Sequence, residues 1–235
     1  MIEITDIEKI YRLGGETIRA LDKVSLSIKQ GEYTSIMGPS GSGKSTLMNI
    51  LGLLDRFDTG KYLLNGTDVT GLSDSQLARI RNKEIGFVFQ SFNLMTRMNV
   101  LENVMLPLVY AKVPSKERVE RATDALEKVG LGNRLYHFTN EISGGQKQRV
   151  AIARAIVNEP SVLLADEPTG NLDSKTTEDI MRIFHDLNNE GTTIVMVTHE
   201  PEMAEYSKRI VHFRDGVITK DEPVTPKNFP EIEVG

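Results

Sequence analysis

The sequence predicts an α/β fold in which short apolar strands alternate with helices, and three observations lead to this prediction. The apolar strand Tyr33–Met37 runs into a glycine-rich loop and then into a buried helix from Lys44 to Leu54. A second strand, Val162–Ala165, ends in two acidic residues, and a third, Thr193–Val197, reads Thr-Ile-Val-Met-Val. Continuous apolar runs of this length are typical of buried strands in a parallel sheet.

The N-terminal region reads as strand-rich and predicts an antiparallel β-subdomain. Met1–Ile10 and Ala20–Ile28 alternate partly between apolar and polar residues, with turn signals at Gly14-Gly15 and Gln30-Gly31. Asn65-Gly66 after two leucines predicts a further hairpin.

Two further segments complete this first half of the chain. Ser73-x-x-Gln76 is a capping box that opens a short helix toward Arg81. Ile85–Phe89 reads as a compact buried strand.

The middle of the chain, from Ser91 to about Glu141, changes to a helical pattern. Pro114-Ser115 begins a helix with one apolar face, and Gly130 stands where a C-cap belongs. Helices follow at Ser143–Val157 and about Lys175–Asn189. A final hairpin joins two short strands, Arg209–Phe213 and Val217–Thr219.

The predicted domain organisation is a core with one insert. Length divided by a typical domain size gives about 1.5 domains for 235 residues. We expect a core at residues 1–90 and 146–222, a helical subdomain at residues 91–145, and an extended tail at 223–235, which carries three prolines.

Composition excludes several classes of protein. The chain has no cysteine, which excludes disulfide scaffolds, thiolate metal sites and cysteine nucleophiles. The net charge of −5 argues against a nucleic-acid binder that works through a broad basic surface, so no nucleic-acid partner is expected. No apolar run approaches the roughly 18 residues that span a bilayer, which predicts a soluble, cytoplasmic protein.

The glycine-rich loop Gly38-Pro-Ser-Gly-Ser-Gly-Lys-Ser45 matches the phosphate-binding P-loop in full. Glycines let the backbone curl so that successive N–H groups face a phosphate, while Lys44 adds a charge and Ser45 offers a hydroxyl to Mg²⁺. A chance match is disfavoured because a strand precedes the loop and a helix follows it. The candidate phosphate-binding residues are Gly38, Ser40, Gly41, Ser42, Gly43, Lys44, Ser45 and Thr46.

The acidic pair Asp166-Glu167 ends an apolar strand. Ligand-binding ends of parallel strands meet at one edge, which predicts that both acids lie beside the P-loop. Asp166 is suited to hold Mg²⁺, and Glu167 to polarise an attacking water. The alternative, an N-cap for the next helix, is weakened because Pro168, Thr169 and Gly170 intervene.

The segment Ser143-Gly-Gly-Gln146 predicts a second anion-binding helix terminus. Ser143 and Gln146 form a capping box, and Gly144 and Gly145 leave the backbone bare for the approach of an anion. A simple helix cap would explain Ser143 but not two glycines, which lower helix stability.

Together with the P-loop and the Asp-Glu pair, Ile142-Ser-Gly-Gly-Gln closely resembles the signature of the ATP-binding cassette family, over nearly the whole chain. The resemblance implies a P-loop NTPase (RecA-like) core, ATP and Mg²⁺ as cofactors, and ATP hydrolysis. It also implies two ATP molecules sandwiched in a head-to-tail homodimer, with Ser143–Gln146 contacting the partner's γ-phosphate.

Further roles follow from the same resemblance. Gln90 is similar to the glutamine that senses Mg²⁺ and the attacking water, and His199 to the switch histidine near the γ-phosphate. Asn171-Leu172-Asp173 resembles the loop that crosses the dimer interface. Tyr11 resembles the aromatic that stacks on adenine, with packing as an equal alternative. His137, His185 and His212 match no motif.

Within the family, the P-loop and Gln90 segments and Asn103–Pro107 look like the LolD/MacB branch. That branch implies an integral membrane permease, as a separate chain or as part of a fused one, export or mechanotransmission as the task, and a location on the inner face of the membrane. Phe92, Leu94, Met95 and Met98 are candidates for the permease-docking surface, or equally for the insert's own core. The alternative function is a cassette ATPase without transport, such as an iron–sulfur assembly scaffold or a regulator of cell-wall hydrolysis.

Overall fold

The computed structural model describes residues 1–14, 16–227 and 229, and within them the chain forms two β-sheets and seven α-helices. A 3₁₀ turn, Thr139–Glu141, precedes the fifth helix. In chain order the elements are β1 Ile2–Leu13, β2 Glu16–Ile28, β3 Tyr33–Met37, α1 Lys44–Leu51, β4 Thr59–Leu64, β5 Thr67–Asp68, α2 Asp74–Glu84, β6 Ile85–Phe89, α3 Val100–Tyr110, α4 Ser115–Lys128, α5 Gly144–Ile156, β7 Val162–Asp166, α6 Ser174–Asn189, β8 Thr193–Thr198, α7 Pro201–Ala204, β9 Arg209–Arg214 and β10 Val217–Pro223.

The larger sheet has six strands in the order β10-β9-β3-β8-β7-β6. All neighbours pair in parallel except β10, which closes an antiparallel hairpin on β9. Strands β3 and β8 lie at the centre with β7 beside β8, and all three are almost wholly buried, as expected for strands with both faces covered. The predicted α/β core is confirmed.

The smaller sheet is antiparallel, with strand order β2-β1-β4-β5, and forms the predicted β-subdomain. Its strands β1 and β2 are longer than predicted at the hairpin that joins them. The residues near this hairpin are exposed, so their sequence lacks the alternation of apolar and polar residues that predicts a strand. Gly15, half of the predicted Gly14-Gly15 turn, lies outside the described residues. Asn65 and Gly66 both adopt positive φ between β4 and β5, as the predicted hairpin requires.

The helical insert packs α3 and α4 against α5 around a common apolar core. The predicted helix start at Ser115 is confirmed, and Gly130 adopts φ 73° just beyond the C-cap. Helix α5 runs without interruption across residues 145 and 146, so the boundary predicted there falls inside a helix.

Three sequence expectations need correction. Helix α1 ends at Leu51 rather than Leu54, because the chain turns at Gly52, where a Cβ would come within 2.2 Å of the Phe87 ring. Strand β6 is not fully buried: it is an edge strand, and Phe87 and Phe89 are partly exposed.

The predicted tail also begins differently, because β10 extends to Pro223. The next residues follow the surface, with Val224 N donating to Lys208 O and Lys227 N donating to Glu205 O. Residues 228 and 230–235 lie outside the described residues. Among the helices of the described ranges, none has the length and apolarity to cross a membrane.

Candidate functional site

Four of the predicted site segments follow the carboxyl ends of four neighbouring parallel strands. The P-loop follows β3, His199 follows β8, Asp166-Glu167 ends β7, and Gln90 follows β6. In the strand registers Met37 pairs with Thr198, Val197 with Asp166, and Asp166 with Phe89. The fold therefore brings together at one sheet edge four segments that are far apart in sequence.

The backbone of the P-loop requires glycine at two positions. A Cβ on Gly38 would lie 2.0 Å from the carbonyl oxygen of Phe213, and Gly43 has φ 104° with Ala20 O only 2.4 Å from a built Cβ. Ser42 is buried inside the loop and its carbonyl accepts from Gly216 N at 2.9 Å. Ser40, Gly41 and Ser45 are exposed. The loop is held from behind by β2 and β9, and its exposed residues face outward.

Lys44 is the first residue of α1, and its ammonium lies within the loop that precedes it. Nζ donates to the carbonyl oxygens of Gly38 and Pro39, both at 2.7 Å. Burial lowers the pKa of Lys44, while the carboxylates of Glu167 and Asp166 act to raise it. Lys44 and the two acids therefore share one electrostatic environment.

Asp166 and Glu167 differ in backbone and in partners. Burial, followed by the charge of Glu167, raises the pKa of Asp166, and Lys44 opposes this shift. Glu167 adopts φ 45°, a left-handed conformation that costs an ordinary residue about 1–2 kcal/mol. Its N–H donates to Val197 O at 2.9 Å, which ties the turn to β8. Strain of this kind in a non-glycine residue often marks a functional site.

His199 contacts Glu167 directly, with 2.7 Å between Nδ1 and Oε1. The histidine side chain is half-exposed and the glutamate partly buried. The predicted catalytic acid, Glu167, and the predicted switch histidine, His199, therefore already contact each other within the single chain.

Gln90 lies against the loop that follows Glu167. A Cβ on Gly170 would come within 2.5 Å of Gln90 Nε2, so glycine permits the close approach of that side chain. Asn171 Nδ2 donates to Gln90 O at 3.2 Å. The loop at residues 168–173 therefore joins Gln90 to the predicted dimer-crossing segment.

The Ser-Gly-Gly-Gln segment begins α5 as predicted. Ser143 Oγ accepts from Gln146 N at 3.3 Å, and Ser143 N donates to Gln146 Oε1 at 2.9 Å. Gly145 packs so closely on α6 that a Cβ would lie 2.3 Å from Thr176 Cγ2. One glycine is therefore required by packing, whereas Gly144 has only an ordinary contact with Leu172 and leaves its side open.

Asp173, predicted in the dimer-crossing loop, is the N-cap of α6. Its carboxylate accepts from Thr176 N at 3.0 Å and from Thr176 Oγ1 at 2.7 Å, and these bonds lower the pKa of Asp173. Capping accounts for this residue within the chain, and a role across an interface remains a prediction.

Tyr11 lies beside the start of α1 with its hydroxyl turned inward. The hydroxyl donates to Asp55 Oδ2 at 2.9 Å, and Lys9 Nζ lies 5.1 Å from the ring centroid. Lys9 also pairs with Asp55 at 2.9 Å. The ring is thus fixed by a packed cluster, which leaves both predicted readings, adenine stacking and packing, open.

Sequence reasoning missed Asp55 and Gln148, which orient site residues without belonging to a motif. Gln148 is fully buried on α5, and its Nε2 donates to Pro168 O at 2.6 Å, directly after Glu167. A polar residue on the otherwise apolar face of α5 was the available signal. Asp55 gave only a weak signal, as one of two acids that follow α1.

An open groove of about 1160 Å³ lies between the core and the helical insert. It is mainly apolar, with Phe87, Phe89, Pro107 and Tyr110 in its walls. Within the described residues, every charged side chain that lines it is basic: Arg79, Arg81, Lys83, Lys112 and Arg154.

The residues predicted for docking do not line this groove. Leu94 packs partly against the core of the insert, whereas Met95 is 53% exposed beside it. Phe92 and Met98 are half-buried. The four residues therefore divide between the two readings that the sequence left open.

The chain matches the family model described as ABC transporter over residues 21–170. The uncharacterized ABC transporter ATP-binding protein YknY of Bacillus subtilis is 60% identical over 218 residues, which cover 93% of this chain and 95% of that protein. The macrolide export ATP-binding/permease protein MacB of Bdellovibrio bacteriovorus is 51% identical over 222 residues, 94% of this chain but 34% of MacB.

A solved structure described as the dimeric structure of MJ0796, a bacterial ABC transporter cassette, superposes with a TM-score of 0.88. It is 45% identical and covers 97% of this chain. A second structure of MJ0796, described as a dimeric post-hydrolysis state bound to ADP and Pi, has the same TM-score. These relationships agree with the strand-edge site and the Ser143-capped helix, and the chain belongs to the ABC transporter family, as an ATP-binding and ATP-hydrolysing cassette.

Proposed function

We propose that this cassette binds MgATP, closes head to tail on a second copy of itself, and drives a separate integral membrane permease of the export or mechanotransmission type. One observation carries the proposal. A single chain presents a P-loop at the sheet edge and a second helix N-terminus at Ser143, where two glycines leave the backbone accessible. Within the described residues no hydrogen bond joins the two. The dimeric MJ0796 cassettes support a second copy as the partner of each half-site.

The P-loop residues would hold the triphosphate. The backbone N–H groups of residues 40–46 and the positive end of α1 attract the phosphates, and Lys44 supplies a point charge between the β- and γ-phosphates. To do so its ammonium must exchange the carbonyls of Gly38 and Pro39 for phosphate oxygens. Tyr11 would pack on the adenine while Asp55 keeps its hydroxyl turned away.

The donor set fits Mg²⁺, which prefers hard oxygen ligands and keeps several waters and phosphate oxygens. Ser45, Gln90 and Asp166 would hold it, offering a hydroxyl, an amide oxygen and a carboxylate. Mg²⁺ bound at such a site would take its remaining ligands from phosphate and water. When bound, Mg²⁺ would neutralise charge that develops on the phosphates.

Glu167 would accept hydrogen bonds from the attacking water and orient it toward the γ-phosphate. His199 Nδ1 already contacts Glu167 Oε1, so the histidine can fix that carboxylate and present its other nitrogen to the phosphate. Gln90, against Gly170, would report on both the metal and the water.

The groove supports a membrane partner. Its apolar walls and five basic side chains suit a helix with an apolar face and acidic residues near one end. Relatives named MacB join an ATP-binding part and a permease in one chain, of which this cassette covers about a third. The partner would hold the cassette at the inner face of the membrane.

The substitution Glu167→Gln tests the hydrolytic role. We expect ATP to bind with unchanged affinity and turnover to fall by at least ~10², because the amide cannot activate water and yet keeps the shape of the site. The nucleotide-bound dimer should then persist on size-exclusion chromatography with MgATP. Glu159→Gln is the matched control, since Glu159 is an exposed glutamate that also adopts positive φ, at the other end of β7. Hydrolysis at the wild-type rate by Glu167→Gln would refute the role.

A further inference from the structure

Arg154, near the end of α5, binds two consecutive backbone carbonyls in the segment after Gln90. Its Nη1 donates to Asn93 O at 2.6 Å and its Nη2 to Phe92 O at 2.8 Å. Across the described part of the chain, no carboxylate pairs with this guanidinium. The planar fork of arginine donates these two bonds from two separate nitrogens held in a fixed geometry, which the single nitrogen of a lysine ammonium cannot reproduce.

Both acceptor residues are held in a left-handed conformation, with φ 59° at Phe92 and 49° at Asn93. Such φ values disfavour any residue with a Cβ, and two in succession are unusual outside glycine. The turn is tight, because Phe92 N donates to Phe89 O and Asn93 N to Ser91 O at 2.6 Å. The two bonds from Arg154 therefore stabilise a conformation that the chain by itself would disfavour.

This turn lies between the groove and the predicted Mg²⁺ site. Asn93, Phe89 and Arg154 line the groove. Gln90 lies within the turn that the bond from Phe92 N to Phe89 O closes, and its side chain lies against Gly170. Burial lowers the pKa of Arg154, yet an arginine remains charged, so the carbonyls must satisfy a buried cation. An occupant of the groove would contact both the arginine and the turn that it holds.

We propose that Arg154 is a positioning residue that fixes the left-handed turn Phe92-Asn93, and through it the side chain of Gln90. The proposal rests on the hydrolytic function proposed above for Gln90. It gives α5 a task at each end: its first turn offers Ser143 to a phosphate, and its last turn sets the glutamine that faces the metal.

Arg154→Lys tests the need for the two-pronged contact. We expect kcat to fall about tenfold, the Mg²⁺ concentration for half-maximal activity to rise, and the KM for ATP to stay unchanged, because Arg154 contacts neither the P-loop nor Tyr11. Arg149→Lys is the matched control: Arg149 lies on the same helix but binds Val129 O and Asp179. Wild-type kcat and Mg²⁺ dependence in Arg154→Lys would overturn the proposal.

Asn93 provides a test that leaves the arginine intact. The side chain of Asn93 is exposed, so Asn93→Ala removes little packing but raises the cost of positive φ. It should lower kcat and raise the Mg²⁺ requirement as Arg154→Lys does, whereas Asn93→Gly should not. Equal activity of these two variants would overturn the proposal even if substitutions at Arg154 fail to fold.

Rescue supplies the remaining test. Glycine adopts positive φ at no steric cost, so Asn93→Gly should restore part of the kcat lost in Arg154→Gln. Asp215→Gly, at another exposed residue with positive φ, should restore none. Failure of Asn93→Gly to restore activity would argue against the proposal. Wild type and Glu167→Gln, assayed in parallel, report separately on whether the cassette hydrolyses ATP through Glu167.

Discussion

Asp166 occupies a position that lowers the stability of the nucleotide-free protein. Its pKa is raised by burial and by the neighbouring charge of Glu167, and Lys44 compensates only in part. A carboxyl group whose pKa is raised by folding contributes its full stability only at a pH below its ordinary pKa of 3.8. This contribution is lost as the pH rises through the pKa of the folded state. At neutral pH the ionised carboxyl group therefore lowers the free energy of unfolding.

Asp166→Asn should consequently raise the free energy of unfolding at neutral pH, by less than about 1 kcal/mol because solvent screens a partly exposed group. This gain in stability should shrink as the pH falls toward 3.8, the ordinary pKa of an aspartate, and it should vanish below that pH. Urea unfolding of the nucleotide-free protein at several pH values would measure the effect. Asp215→Asn, at an exposed turn, is the control for removal of a surface carboxyl group. A variant less stable than the wild type at neutral pH would contradict this account.

The site residues divide into those that sequence could predict and those that it could not. Gly38–Ser45 and Ser143–Gln146 are contiguous, and their types and spacing follow from local backbone geometry. Asp55, Gln148 and Arg154 act through contacts with residues 20 or more positions away, so no motif of fixed spacing predicts them. Motifs predict the groups that face a ligand, and the folded chain is needed to find those that hold them.

At the scale of elements, the same division explains which boundaries were predicted well. Helix α5 begins at a capping box and helix α4 directly after a proline, so both starts were predicted to within a residue. Helix α1 ends at its C-cap Gly52, where the lack of a side chain leaves room for the ring of Phe87, from a strand 35 residues further along the chain. The exposure of β6 depends on its place at the edge of the sheet, which its apolar sequence does not reveal.

Asn103 in α3 shows how a single polar side chain can determine the conformation of a loop. It is fully buried, its Oδ1 accepts from Met95 N at 2.7 Å, and its Nδ2 lies within 3.1 Å of the carbonyl oxygens of Met95, Met98 and Asn99. The amide therefore replaces the hydrogen bonds that the turn at residues 95–99 lacks.

Asn103→Ala should lower the free energy of unfolding by ~2–3 kcal/mol, because it leaves Met95 N and Met98 O without the side-chain partner that satisfies them. Asn99→Ala removes only the N-cap of α3, whose side chain accepts from Glu102 N, and should cost ~1 kcal/mol. Urea unfolding of the two variants measures the difference. The reverse order of stability would show that other contacts hold the turn.

In the proposed function, the whole molecule carries two half-sites on different elements. Lys44 begins α1 and Glu167 follows β7, so both belong to the strand edge of one chain. Ser143 begins α5, and its hydrogen bonds stay within that helix start. In a head-to-tail dimer each composite site would take Lys44 and Glu167 from one chain and Ser143 from the other.

Mixing variants tests this division. Lys44→Ala and Ser143→Arg should each be inactive alone, the first for lack of phosphate charge and the second because a bulky cation replaces the cap. In their heterodimer one of the two sites combines an intact P-loop with an intact helix terminus. Random assortment makes half of the dimers heterodimers, each with one active site, so an equimolar mixture should recover about a quarter of wild-type ATPase activity.

The informative control is a mixture of Lys44→Ala with Glu167→Gln. Because Lys44 and Glu167 serve the same composite site from the same chain, neither site of that heterodimer is intact, and no activity should return. Heterodimer formation must be verified for both mixtures by tagging one variant and isolating dimers that carry both chains. If the first mixture stays inactive in verified heterodimers, or the second recovers, the assignment of half-sites to chains is wrong.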